Sequence, residues 1–148
     1  MKKHLMIISC SDKKNTKPDL IPAIQRYKGA WYGVINKLKR EGNFPDNLDI
    51  HIISAEYGLI NSETQIKNYD QEMDYTRARE LNGPILNKLE KIISKTSYES
   101  ILVNLGSTYM TAISGLEKIV PYTTKIQFLK GRIGERKRDM KEWILSIY

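Results

Sequence analysis

With one cysteine in 148 residues, this chain has no internal disulfide, and cysteine-only metal sites are excluded with it. Histidine is nearly as scarce: His4 and His51 are the only two, and neither has a second ligand at metal-binding spacing. Ser-His-Asp catalysis therefore has little material, and neither a metal nor an organic cofactor is expected. Long apolar runs are missing too. Stretches such as Leu5 to Ile8 and Ile101 to Val103 fall far short of a bilayer span. Met1-Lys2-Lys3-His4 is basic, but the apolar stretch behind it lacks the length and cleavage site of a secretion signal. The expectation is a cytoplasmic protein with no membrane partner and unknown oligomeric state. No low-complexity tract or internal repeat is visible.

What is present fits one α/β domain over residues 1–148, with 41% hydrophobic residues to build a core. The net charge is +7 and the pI about 9.4. The excess gathers at Lys13, Lys14 and Lys17, at Lys37, Lys39 and Arg40, and at Lys130, Arg132, Arg136, Lys137 and Arg138. Such clusters suit a phosphate-bearing partner, DNA or RNA included, and equally a plainly solvated face.

Short β-branched runs alternate with helical periodicity. Leu5 to Ser9, Asp49 to Ser54, Ser100 to Leu105 and Thr123 to Phe128 read as strands. From about Pro22 to Arg40 the positions Ile24, Tyr27, Trp31, Val34, Ile35 and Leu38 recur at helical spacing, with Pro22 in the first turn and Gly42 past the end. Tyr75 to Ser94 reads as a helix capped by Asp74, with a kink or break at Gly83-Pro84. Further helices are expected from about Tyr109 to Lys118 and from Glu135 to Tyr148; residues 10–22 and 61–74 read as loops. The order predicts a three-layer domain, with a mainly parallel four-stranded sheet flanked by helices.

Open α/β sheets bind ligands just beyond the carboxyl ends of their strands. Ser9-Cys10-Ser11-Asp12-Lys13-Lys14 follows the first strand. Cys10 is either a thiol activated by the nearby lysines or a small buried hydrophobe. Lys14 and Lys13 are candidates for a phosphate clamp, and Lys14 for a desolvated nucleophile; both can equally be exposed charges. Ser9 and Ser11 can hydrogen-bond a ligand or cap the loop. Ser54-Ala55-Glu56-Tyr57-Gly58 follows the second strand. Glu56 is placed to act as a base or to bind a ribose, or else to sit solvated in a turn, and Gly58 to allow a positive φ. Tyr69-Asp70, in the next loop, adds an aromatic face for stacking and a second acid. Gly106, Ser107 and Tyr109 open the helix after the third strand, a weak anion-binding pattern without a P-loop or GxGxxG, and Gly131-Arg132-Ile133-Gly134 can complete a phosphate-facing rim.

The set Ser9-Cys10-Ser11-x-Lys13-Lys14, Pro22-Ala23 to Arg26-Tyr27-x-Gly29, Ser54-Ala55-Glu56-Tyr57-Gly58-Leu59, Tyr69, Leu105-Gly106-x-x-Tyr109 and Gly131-x-x-Gly134 resembles YaaA-like, peroxide-stress-type domains. That resemblance covers most of the chain and implies a DNA-associated role. Cys10 and Lys14 also match the Cys-x-x-x-Lys spacing of a domain in archaeosine synthase, where it is followed by Pro-Tyr; here Asn15-Thr16 stand instead. This likeness implies a pocket for a purine-like base.

The leading expectation is an enzyme acting on a nucleobase, nucleotide or modified base in nucleic acid, by N-glycosidic cleavage or base exchange. Glu56, Asp70, Lys14 and Cys10 are the catalytic candidates. Ser9, Ser11, Lys13, Tyr27, Gly29, Ser54, Tyr57, Gly58, Tyr69, Gly106, Ser107 and Tyr109 are the substrate-binding ones. The alternative is a DNA- or RNA-binding protein without catalysis. A redox sensor at Cys10 ranks third, for want of a resolving cysteine.

Overall fold

The computed structural model describes residues 2–147. Its centre is β1 (Lys3–Ser9), whose residues Leu5 to Ile8 are wholly buried on both faces. A strand covered on both sides needs a continuous apolar run, and this one has it. β1 pairs in parallel with β3 (Leu48–Ser54) on one side and β6 (Tyr98–Asn104) on the other, so that Ile7 stands between His51 and Val103. β7 (Lys125–Phe128) extends the parallel set beyond β6, and β4 (Gly58–Asn61) adds an antiparallel edge to β3. The order is β4-β3-β1-β6-β7, a mixed, mostly parallel sheet.

Alternation along the strands sorts the core. Met6, Ile8, Ile50, Ile52 and Leu102 belong to one cluster with residues of α1 (Ala23–Arg26), α2 (Ala30–Arg40) and α5 (Ile133–Ser146). Leu5, Ile7, Ile53, Ile101 and Val103 belong to a second, with residues of α3 (Tyr75–Lys95) and α4 (Ser107–Ala112). Among the described residues no helix is long and apolar enough to cross a membrane.

Several expected boundaries need correction. The main sheet has five strands rather than four, because the short run after Gly58 folds back onto β3 instead of opening a loop. Gly58, at φ +75°, makes that turn, as its sequence context predicted. The expected helix from Pro22 to Arg40 is broken: Tyr27 is extended and bridges to Lys14, and α2 restarts after Gly29. Gly29 lies so close to the 10–22 loop that a Cβ there would stand 3.2 Å from Ser11 Cβ. The two expected loops also pair, through β2 (Ile21–Pro22) and β5 (Gln65–Ile66). α3 runs unbroken through Gly83-Pro84, held by Leu81, Ile85, Leu89 and Ile93, which outweigh the one backbone donor that proline lacks. Asp74 caps it, accepting from the Arg77 amide at 2.7 Å. The helix expected to reach Lys118 stops at Ala112, and a separate 3-10 turn covers Leu116–Lys118.

Candidate functional site

From β1 the chain crosses to β3 on one side, and later to β6 on the other. The carboxyl ends of β1 and β6 therefore flank the topological switch, where a crevice forms outside the sheet. Cys10 leaves β1 with its amide donating to Ile53 O at 3.0 Å, and its Sγ lies 3.0 Å from the Tyr109 hydroxyl. Tyr109 is on α4, immediately after β6, so this thiol–phenol contact spans the crevice.

A second network sits beside it. Ser54, fully buried at the end of β3, accepts from the amides of Glu56 and Tyr57 and from the Tyr27 hydroxyl at 3.1 Å. It donates to the Tyr69 hydroxyl at 3.1 Å, and the Tyr27 and Tyr69 hydroxyls are 2.7 Å apart, closing a triangle. Tyr32 donates to Ser9 O at 2.8 Å beneath. Burial pushes the Tyr27, Tyr32, Tyr69 and Tyr109 phenols well above the usual range, and the neighbouring Cys10 thiol adds to each rise. All four remain protonated at neutral pH.

Two half-buried cations border the crevice. Lys14 Nζ lies 4.5 Å from the Tyr69 ring centre and donates to Asp12 O at 3.3 Å. Arg136, in the first turn of α5, stacks its guanidinium on Trp31 at 4.8 Å, and a Cβ on Gly106 would stand 4.0 Å from its Nη1. Its Nε is buried without a hydrogen-bond partner, and burial lowers its pKa. Asn104 Oδ1, at the end of β6, is likewise buried and unpartnered, while its Nδ2 reaches Met140 Sδ at 3.5 Å. Among the described residues neither Lys14 nor Arg136 forms an ion pair. Half-buried cations without a counter-ion, and buried polar atoms without a partner, are places where an anion is favourable. On the Arg136 side a cavity of about 470 Å³ opens between the ends of β6 and β7, lined by Gly106, Ser107, Lys130, Arg132 and Arg136 among others; Cys10, Lys14 and Tyr109 do not line it.

The expected site residues thus separate into groups. Cys10, Tyr27, Ser54, Tyr69, Tyr109 and Lys14 come together, and Ser9 is tied in through its carbonyl. Tyr27 is too buried, at 2% exposure, for its face to receive a ligand. Lys14 already lies over one face of Tyr69, which leaves Tyr57, 40% exposed and edge-on to Tyr69, as the accessible ring. Gly29 and Ser11 shape the loop, with Ser11 Oγ donating to Lys13 O at 2.7 Å, while the Lys13 side chain is exposed. Gly58 makes the β3–β4 turn, and Gly106 and Ser107 border the cavity near Arg136. Glu56 and Asp70 are exposed, and among the described residues no hydrogen bond joins either carboxylate to the hydroxyl triangle.

Sequence reasoning missed Arg26. It is wholly buried and donates to the carbonyls of Asn15, Lys17, Asp19 and Ile66, which fixes the loop that carries Lys13 and Lys14. In the sequence it stood only within the Pro22-Ala23 to Arg26-Tyr27-x-Gly29 motif, with no role of its own. Arg136 was visible only as one charge in a cluster, and no spacing rule pointed to Trp31 as its platform.

Residues 5–142 match the model of a family of unknown function (DUF6884), and the chain belongs to that family. No curated protein matches. Among solved structures, the chain is similar to that titled "Crystal structure of AF0587, a protein of unknown function". The match has a TM-score of 0.55 at 9% identity and covers 97% of this chain but 44% of the other. The likeness is one of fold, and the chain spans under half the length of that neighbour.

Proposed function

We propose that this protein is an enzyme acting on a nucleobase, carried by a nucleotide or within a nucleic acid, and that it cleaves or exchanges the N-glycosidic bond. The observation that carries the reading is Arg136: half-buried on Trp31, without a carboxylate or an Nε partner among the described residues, and lining a cavity with Gly106 and Ser107 just beyond β6. A phosphate is the ligand group that satisfies it, and Lys14 offers a second cation across the aromatic cluster. Tyr57 supplies the exposed ring for a base. The resemblance to YaaA-like domains and to the Cys-x-x-x-Lys domain of archaeosine synthase supports the same substrate class.

In the proposed reaction the C1′–N bond breaks as water, or an incoming base, attacks C1′. The bonding electrons leave with the base nitrogen, which takes its proton from solvent, while the Tyr109 hydroxyl, kept protonated by burial, donates a hydrogen bond to it. Glu56 and Asp70, on the exposed segments after β3 and β5, are the carboxylates available to take a proton from the attacking group. No cofactor takes part.

The test is mass-spectrometric detection of free or exchanged base after incubation with nucleotides and with oligonucleotides. Release that Tyr109→Phe and Lys14→Met each reduce at least tenfold supports the enzyme. If base is never released while oligonucleotides bind, the protein is a non-catalytic DNA or RNA binder.

A further inference from the structure

A groove of about 570 Å³ runs between α2 and α5, outside the crevice. Its floor is Gly29, Ala30, Gly33, Val34, Leu38 and Gly134; its rim is Lys37, Lys137, Arg138 and Lys141, with no acidic residue. The charge is sorted by helical position. On α5 the groove takes residues 134, 137, 138 and 141, whereas the acids Glu135, Asp139 and Glu142 fall at the interleaved spacing of another face. Among the described residues only Arg138 of the four cations has a carboxylate, that of adjacent Asp139, in an exposed pair worth little. Gly33 and Gly134 keep the floor open: a Cβ at either would meet nothing within 4 Å, yet Gly33 inside α2 costs about 1 kcal/mol of helix propensity relative to alanine.

The groove also leads to the site. Gly29 lines it on one side and abuts Ser11, next to Cys10, on the other. A row of four cations, three of them without a carboxylate among the described residues, over an open, glycine-floored channel suits a regularly charged, narrow polyanion better than a single phosphate.

We infer that the α2–α5 groove carries the phosphodiester backbone of a nucleic acid strand and presents one of its bases to the β1–β6 crevice, so that the substrate base belongs to a strand rather than to a free nucleotide. This rests on the base-directed reading above and names its substrate class. The experiment is fluorescence anisotropy with a labelled single-stranded oligonucleotide from low to high salt, beside calorimetric titration with mononucleotides. The combined variant Lys37→Ala/Lys137→Ala/Lys141→Ala removes exposed charge alone. Gly33→Leu keeps the charge, suits a helix and fills the channel. Lys91→Ala/Lys95→Ala on α3 is the remote control.

Each phosphate contact contributes a slope of about −0.7 to −0.9 in log affinity against log salt. The triple variant should therefore flatten the slope by about 2 and weaken low-salt binding at least tenfold, with mononucleotide binding unchanged. Gly33→Leu should weaken the oligonucleotide alone, and the α3 variant should match wild type. An unchanged slope in the triple variant, with mononucleotides still bound at the crevice, overturns the groove and leaves the site standing. Charge-dependent oligonucleotide binding in a protein that binds no mononucleotide, and that Arg136→Met does not affect, upholds the groove as a backbone track and overturns its link to the crevice.

Discussion

Replacing Arg26 by methionine tests how the loop bearing Lys13 and Lys14 is held. The guanidinium is wholly buried and donates four bonds: Nη1 to Asn15 O and Lys17 O at 2.6 and 2.8 Å, Nη2 to Asp19 O and Ile66 O at 2.6 and 3.1 Å. Charge-assisted bonds contribute about 1.5–3 kcal/mol each, a gross stabilisation of roughly 6–12 kcal/mol. Two effects reduce it. Burying the cation costs several kcal/mol. The carbonyls of Lys17 and Asp19 also belong to exposed residues and rehydrate once the guanidinium is gone. The expected net loss is about 3–4 kcal/mol, a large share of the roughly 5–15 kcal/mol that holds a typical domain. With a urea m-value of about 2 kcal/mol/M, the midpoint should fall by about 1.5–2 M. Arg26→Lys should recover less than half, because one ammonium cannot reach four carbonyls held apart by a fork. Hydrogen exchange should quicken at residues 11–20 and 64–67 before it does in β1. A loss under about 1 kcal/mol, or unchanged exchange in those segments, would refute the assignment of Arg26 as the loop's anchor.

Tyr27→Phe removes the hydroxyl shared by Ser54 and Tyr69, and should cost about 1–2 kcal/mol in urea denaturation with little effect on fold. Gly58→Ala forces a Cβ into φ +75° where neighbouring side chains leave ordinary contact distance, so a loss of about 1–2 kcal/mol is expected from backbone strain alone. Burial lowers the pKa of His51, with Lys88 assisting and Asp49 opposing. Between the folded value and about 6.5 the unfolded chain binds a proton that the native state does not, so this contribution is fully present above about pH 6.5 and is lost as pH falls, by at most about 1.4 kcal/mol per unit. His51→Gln should flatten stability measured by urea between pH 7.5 and 5.5; an undiminished slope would place the cause elsewhere.

The buried parallel strands were legible because each must be apolar on both faces, as Leu5 to Ile8 and Ile101 to Val103 are. β4 was not, since a glycine and the three residues after it give no periodicity, and only their pairing with β3 makes them a strand. The helix from Pro22 to Arg40 misled for the opposite reason. Ile24, Tyr27 and Trp31 keep helical spacing, but the burial of Arg26 and the approach of Gly29 to Ser11 override it. Small and hydroxylated residues after β1, β3 and β6 mark the carboxyl end of the sheet, and the contacts of Cys10, Ser54 and Tyr109 lie there. What the sequence could not convey was partnership: that Ser54 links two tyrosines 42 residues apart, or that Arg136 lies on Trp31.

The most direct measurement is the thermal shift produced by nucleobases, nucleosides and mononucleotides in wild type, Arg136→Met and Lys14→Met at moderate salt. A ligand at 100 times its dissociation constant stabilises the native state by about 2.7 kcal/mol, several degrees in Tm. The crevice as a base-and-phosphate site requires a mononucleotide to produce such a shift, its nucleoside to produce less, and both variants to diminish it. A mononucleotide shift that survives both substitutions would contradict the site, and no shift from any of these ligands would contradict the claim that the crevice binds a base.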